Sequence, residues 1–220
     1  MSRARVFDYK RAMELQQYLS RRVLEELDSF PQLNLDKLQY IVGVDAAYHK
    51  DLMCGVAVLL DYRTGFVLKE AVVYRKPAIP YVPGLLAFRE APAYIAAIKK
   101  LGAKPDVVFV DGHGLSHPRA FGIATHVGLV LNTPSVGIAK KKLYGEEKIE
   151  DGERVVWAHG RVVAKVIEHR GKKLYVSIGY KIRLEDAVKL TKKLTVDKYK
   201  LPLPIALADQ LSKKFVRRLK

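Results

Sequence analysis

The stretch "YIVGVDAAYHKDLMCGVAVLLDYRTGFVLKEAVVYR", residues 40–75, decides the fold. It holds three apolar, β-branched runs at 40–48, 54–62 and 66–75. Arg63, Thr64 and Gly65 leave room only for a tight turn between the second and third, which makes those strands antiparallel. Downstream the pattern changes. "APAYIAAIKKL" (91–101) is helical, with Pro92 expected in its first turn, where a missing N–H is tolerated. "DVVFVDG" (106–112) and "SVGIAK" (135–140) are short buried strands on either side of a helix around 118–131. Runs apolar on both faces belong inside a layered sheet. The expected fold is α/β: a mixed central sheet, three antiparallel strands followed by parallel ones, flanked by helices on both faces.

At the ends the signals are coarser. "FDYKRAMELQQYLSRRVLEELDSF" (7–30) reads as an amphipathic helix capped by Asp8, with Ala12, Leu15, Leu19, Val23 and Leu27 at helical spacing. "ERVVWAHGRVVAKVIEH" (153–169) and "KKLYVSIGY" (172–180) read as an added hairpin or meander, with helices near 184–194 and 204–218. No linker or repeat interrupts the chain, so residues 1–220 are expected to form a single domain.

Charge narrows the function. Lys and Arg number 39 against 23 acids, a formal net charge of +16. Such a surplus favours a polyanionic partner, because each neutralised phosphate releases condensed counterions. Cys54 is the single cysteine, so no internal disulfide forms and a reducing compartment is expected. The basic start (Arg3, Arg5, Lys10, Arg11, Arg21, Arg22) carries no signal-peptide pattern, and the longest apolar run, "LMCGVAVLL" (52–60), is too short to cross a bilayer. A cytoplasmic chain without a membrane partner is the expectation. Few asparagines and much Lys and Glu fit a thermophile's bias.

Two carboxylates stand where apolar residues would be cheaper. Asp45 sits inside "IVGVDAAY", and Asp111 closes "VVFVDG" before a glycine. Burying a carboxylate costs several kcal/mol unless it is paired or bound to a cation. Singly, each has a plain structural explanation: a capped bend or arginine pair for Asp45, an Asp–Gly turn for Asp111. If their strands lie parallel and adjacent, the two acids meet at the carboxyl ends, where sites form in such sheets. Glu90, opening the intervening helix, would complete a set of hard oxygen ligands suited to Mg²⁺ or Mn²⁺. On a basic protein that combination points to metal-assisted phosphodiester cleavage. A further stretch, "IPYVPGLLAFREAP" (79–92), stiffens the chain with Pro80 and Pro83 around Tyr81 and Val82.

With these residues in view, the sequence resembles the endonuclease V family, deoxyinosine-directed nucleases of ribonuclease H-like fold. The resemblance rests on "GVDAAY" (43–48), "PYVPGLLAFRE" (80–90), the forty residues from "DVVFVDGHG" to "KKKLYG" (106–145), and "YVSIGYKIRLEDAVKL" (175–190). Ile178, where many members carry proline, and Ala46 and Ala47, where valine and serine are frequent, depart from the pattern.

The resemblance implies that Asp45, Glu90 and Asp111 hold Mg²⁺, with Mn²⁺ as a substitute, and that Lys140 contacts the scissile phosphate. It implies a fourth site residue in the last helix, for which Asp209 is the candidate. Pro80, Tyr81, Val82 and Pro83 become a strand-separating wedge. Gly84, Leu85, Leu86, Gly112, Gly114, Gly122 and Ile123 become the pocket for a flipped hypoxanthine, glycine allowing close backbone approach. Arg89, His117 and Arg119 become nucleic-acid contacts, with the alternatives that Arg89 holds Glu90 in place and that His117 and Arg119 support the pocket; His113 falls at a variable position, and His49, His126, His159 and His169 are left to the core or surface. The implied partner is single- or double-stranded DNA containing deoxyinosine, bound by a monomer. The implied cut falls at the second phosphodiester 3′ to the lesion, leaving a 3′-hydroxyl and a 5′-phosphate. Inosine-containing RNA is an alternative substrate, and a non-catalytic binding protein an alternative function.

Overall fold

The computed structural model describes residues 7–219; Arg3, Arg5 and Lys220 lie outside them. β1 (Tyr40–His49), β2 (Leu52–Asp61) and β3 (Val67–Arg75) form the antiparallel meander. Its second turn closes through Asp61, whose Oδ1 accepts from the backbone N–H groups of Arg63 and Thr64 at 3.0 and 2.8 Å. The chain crosses through α2 (Leu86–Lys100) to β4 (Val107–Asp111), parallel to β1, then through α3 (Ile123–Leu131) to β5 (Ser135–Ala139), parallel to β4. β6 (Glu146–Glu150), β7 (Glu153–Ala158), β8 (Arg161–His169) and β9 (Lys172–Tyr180) extend the same sheet. The nine strands run in the order β3-β2-β1-β4-β5-β9-β8-β7-β6. α1 (Tyr9–Glu26), α4 (Leu184–Lys193) and α5 (Leu203–Arg217) complete the elements that matter below. No helix among the described residues is long and apolar enough to cross a membrane.

Strand period explains why the central strands read as continuous apolar runs. Val42, Val44, Val108 and Val110 pack on one face against Ala87, Ala91 and Tyr94 of α2 and Val127 of α3. Ile41, Val107 and Phe109 point to the other face, into the cluster that holds Ile205 and Ala206 of α5. Both faces are therefore buried, as the pattern requires.

Four expectations need correction. Residues 112–122 are a loop and α3 starts only at Ile123; Ala120 is left-handed, with φ +47°, and Gly122 is extended, so the helical run expected from 118 is broken before Ile123. Pro92 is the seventh residue of α2, not a first-turn residue, so this helix forgoes one interior hydrogen bond. In α1 the buried stripe is Ala12, Gln16, Ser20 and Val23, while Leu15 is 45% exposed. The late hairpin is no appendage: β9 pairs antiparallel with β5, and the charged "EEKIE" of β6, unmarked by any apolar signal, forms the far edge. The Asp8 cap is as expected, its side chain accepting from the Arg11 N–H at 3.0 Å.

α5 lies against β1 because Gly43 has no side chain. A β-carbon there would stand 2.0 Å from the Pro204 carbonyl oxygen. Gly43→Ala should therefore lower stability although alanine suits a strand better than glycine. Overpacking of this kind costs roughly 1–3 kcal/mol, about 2–4 °C in Tm per kcal/mol for a chain of this size. A melting temperature equal to or above that of the native chain would contradict the close approach.

Candidate active site

The parallel register pairs Val44 with Val110, so Asp45 and Asp111 occupy the next level of adjacent strands. Asp111 in turn pairs with Ile138 of β5, and Lys140 follows two residues later on the same side. Lys140 Nζ reaches Asp111 Oδ2 at 2.9 Å. Asp45 points towards α5, where the Ser212 hydroxyl donates to its Oδ2 at 2.7 Å. Asp209 enters from the preceding turn of α5 and pairs with Lys213 at 2.6 Å. Glu90 comes from the opposite side. The Tyr48 and Tyr94 hydroxyls donate to its Oε1 and Oε2 at 2.7 and 2.9 Å.

The electrostatics mark a site with surplus negative charge. Burial pushes the Asp45 carboxyl up to about 7 despite the Ser212 hydrogen bond, and the charges of Asp111 and Asp209 push the same way. Burial also raises Glu90 against its two tyrosine bonds, with Asp111 adding to the effect. Burial opposes the charge of Lys140, yet Asp111, Asp209 and Asp45 together hold its pKa above the ordinary lysine value. Among the described residues no three His, Cys, Asp or Glu close into a cage by themselves. The donor set still fits a hard divalent cation, which keeps several waters and takes one or two carboxylates. Asp45 and Asp111 would hold it, with Glu90 beside them.

Next to the acids lies a cavity of about 240 Å³, lined on one side by Tyr81, Pro83, Gly84, Leu86 and Ala87. Gly112, His113, His117, Phe121, Gly122 and Ile123 form the other side, with Gln16 and residues 141–143 closing it. Asp111 ends β4 and Gly112 begins this wall, so acid cluster and cavity are consecutive in the chain.

With that geometry in place, the comparisons are decisive. The endonuclease V family model matches residues 19–210. The chain belongs to the endonuclease V family. It is 58% identical over 208 residues to endonuclease V of Desulfurococcus amylolyticus, covering 94% of this chain and 95% of the relative. The crystal structure of Bacillus subtilis endonuclease V superposes with a TM-score of 0.85 at 28% identity, covering 99% of this chain and 97% of that one. Endonuclease V of Ciona intestinalis, solved with a 24mer DNA containing an inosine followed by a ribo-adenosine, gives 0.80 at 27% identity, covering 94% and 96%. Family membership makes the chain a nuclease and bears out the ribonuclease H-like fold.

The family's expected site residues fall into groups. Asp45, Asp111, Asp209 and Lys140 gather at the carboxyl ends of the strands, with Glu90 within electrostatic reach of Asp111. In the wedge segment Tyr81 is 67% exposed, Pro80 and Pro83 are exposed, and Val82 packs inward beside Ile79 and Leu85. Of the pocket set, Gly84, Leu86, Gly112, Gly122 and Ile123 line the cavity. Leu85 does not; it is buried with Ala12 and Ile79. Gly114 lies behind the wall, its N–H bonded to Ser177 Oγ at 2.8 Å.

Arg89, His117 and Arg119, expected to contact nucleic acid or to support Glu90 and the pocket, have partners within the protein. Arg89 stacks over the Tyr48 ring, 4.8 Å from its centre, and donates to the Tyr48 hydroxyl and the Ile79 carbonyl. His117 and Arg119 both turn to the Gly84 carbonyl. Sequence reasoning missed Tyr48, Tyr94, Ser212, Gln16 and His113. Tyr94 was within reach, since it stands four residues after Glu90 on one helix. Tyr48 shares strand parity with Val44 and so faces α2. Ser212 and Gln16 gave no signal.

The raised Asp45 carboxyl has a consequence for stability. The unfolded chain loses this proton near the ordinary value of 3.8, the folded chain only near 7, so ionisation disfavours the native state as pH rises through that window. In chelator at pH 8, Asp45→Asn should be more stable than the native chain by on the order of a few kcal/mol, seen as a higher Tm, and the difference should nearly vanish by pH 4. A variant that melts lower at pH 8 would contradict the charge assignment.

Proposed function

We propose that the chain is a metal-dependent endonuclease that holds a deoxyinosine of single- or double-stranded DNA in this cavity and hydrolyses the second phosphodiester bond 3′ to it, leaving a 3′-hydroxyl and a 5′-phosphate. The observation that carries the reading is the direct succession of acid and cavity wall at Asp111–Gly112, repeated on the opposite side by Gly84 and Glu90, six residues apart. A base seated in the cavity thereby fixes its own strand relative to the acids, and the cut falls at a set distance from the lesion.

Each side chain has a part in this reading. Tyr81, at the tip of a loop stiffened by Pro80 and Pro83, enters the base stack and offsets part of the cost of unstacking. The cavity takes the extruded base; Gly84, Gly112 and Gly122 give it a wall of backbone. Asp45 and Asp111 hold the cation, Tyr48 and Tyr94 fix the carboxylate of Glu90 beside them, and Asp209 adds negative charge from α5. A bound Mg²⁺, or Mn²⁺ in its place, supplies Lewis acidity at the phosphate and an acidified water. Lys140 Nζ places positive charge where the phosphoryl oxygens gain negative charge as the P–O3′ bond breaks. The surplus of +16 grips the phosphates on either side.

The decisive assay uses a labelled oligonucleotide with one deoxyinosine, Mg²⁺, and mapping of the cut, beside a matched riboinosine strand. Preferential nicking of the deoxyinosine strand at the stated bond is expected; faster cutting of RNA would move the activity to an inosine-specific ribonuclease, and no cutting of either would leave a binding protein. Asp45→Asn and Asp111→Asn should abolish nicking while lesion binding persists. Tyr81→Ala should weaken lesion binding about tenfold, the scale of one stacked base, with an unchanged Tm because the ring is exposed. Loss of stability in place of binding would return Tyr81 to a packing role.

A further inference from the structure

We infer that Gln16, a residue of α1 outside every motif that marks the site, is a positioning residue that sets the width of the base-binding cavity; the inference rests on the reading of that cavity given above. Gln16 is fully buried, an unusual place for an amide, and burial without partners would be costly. It has partners for both ends. Nε2 donates to the carbonyl of Gly84 at 3.1 Å and to that of Phe121 at 3.2 Å. Oε1 accepts from Arg119 Nε at 2.7 Å. The orientation admits no flip: a reversed amide would set an oxygen against two carbonyls and an NH₂ against a guanidinium.

Gly84 and Phe121 stand on opposing walls of the cavity, one on the wedge loop and one on the loop before α3. A single side chain therefore ties the two walls together. Two further donors converge on the Gly84 carbonyl: Arg119 Nη2 at 2.7 Å and His117 Nε2 at 3.1 Å. His117 Nδ1 accepts from the Arg119 N–H at 3.1 Å, which puts the ring proton on Nε2. Burial, with Arg119 adding, lowers His117 to about 4, so the ring stays neutral in this role.

Two consequences follow for recognition. With three donors on it, the Gly84 carbonyl has no lone pair left for a base; Gly84 contributes shape. That shape requires glycine, for φ is +78° and a β-carbon would stand 2.6 Å from Arg119 Nη2. The spacing of the walls, and with it the fit of one base against another, then depends on the Gln16 amide.

The test compares binding, in chelator, to two duplexes that differ in one deoxyinosine replacing one deoxyadenosine. Gln16→Met fills the same volume without hydrogen bonds. Gln16→Glu keeps the oxygen that faces Arg119 and loses both donors. Each should lose about tenfold in affinity for the inosine duplex, the scale of one or two neutral hydrogen bonds. Affinity for the undamaged duplex and the salt dependence of binding should stay unchanged. Retention of the native preference in either folded variant overturns the inference, as does an equal loss on both duplexes accompanied by a fall in Tm. A native chain that binds both duplexes alike refutes the reading of the cavity itself, and the inference with it.

Discussion

The carboxyl group of Asp45 is buried between β1 and α5, and much of the molecule is arranged around keeping it there. Gly43, two residues before Asp45 on the same face of β1, lets α5 lie against the strand. That approach brings the Ser212 hydroxyl to 2.7 Å from the carboxyl and Asp209 into its field. β4 adds Asp111 at the same level, and the residue just after β5 adds the Lys140 ammonium. A buried acid beside two more acids and one lysine is poorly compensated by the protein alone. Its proton leaves only near neutrality. A divalent cation beside these acids would offset the imbalance, and under the proposed function the burial that costs stability serves metal binding.

The same sheet end carries the cavity, and the two regions share their supports. Residues 112–122 have no regular structure, yet they are held at several points. His113 Nε2 bonds to the Lys141 carbonyl at 2.8 Å, Ser116 Oγ donates to the Tyr144 carbonyl at 2.8 Å, and His159 bonds to the His117 carbonyl at 2.9 Å. These partners come from the chain after β5 and from the β7–β8 turn. The segment leading into the added strands and one of their turns thus brace the cavity wall. α1 braces the opposite wall through Gln16. A preorganised pocket of this kind spares the ordering cost that a loose loop would incur on binding.

The central sheet was legible because its strands are apolar on both faces and because a three-residue turn admits one topology. Asp45 and Asp111 were legible for the converse reason, as charges where the pattern called for valine. The loop of 112–122 was mistaken for helix at its end since "AFGIATHVGLV" continues an apolar period upstream of the true start at Ile123. β6 was invisible because an edge strand needs backbone partners more than apolar side chains. Gln16 shows the limit most clearly. A glutamine between leucines on a charged helix reads as solvent-facing, and only contacts 68 and 105 residues away in the chain reveal that it is buried. Arg89, His117 and Arg119 were read as nucleic-acid contacts or as supports for Glu90 and the pocket, and their carbonyl and hydroxyl partners in the fold match the supporting part.

A cation that binds beside Asp45 must displace the proton that burial keeps on its carboxyl. Calorimetric titration of Mn²⁺ into the metal-free chain, repeated in buffers of different ionisation enthalpy, counts the protons displaced. About one proton per ion should be released at pH 6, where the Asp45 carboxyl is still protonated, and none at pH 9; the Asp45→Asn chain should show no such change with pH. Binding with no pH-dependent proton release in the native chain would contradict the account.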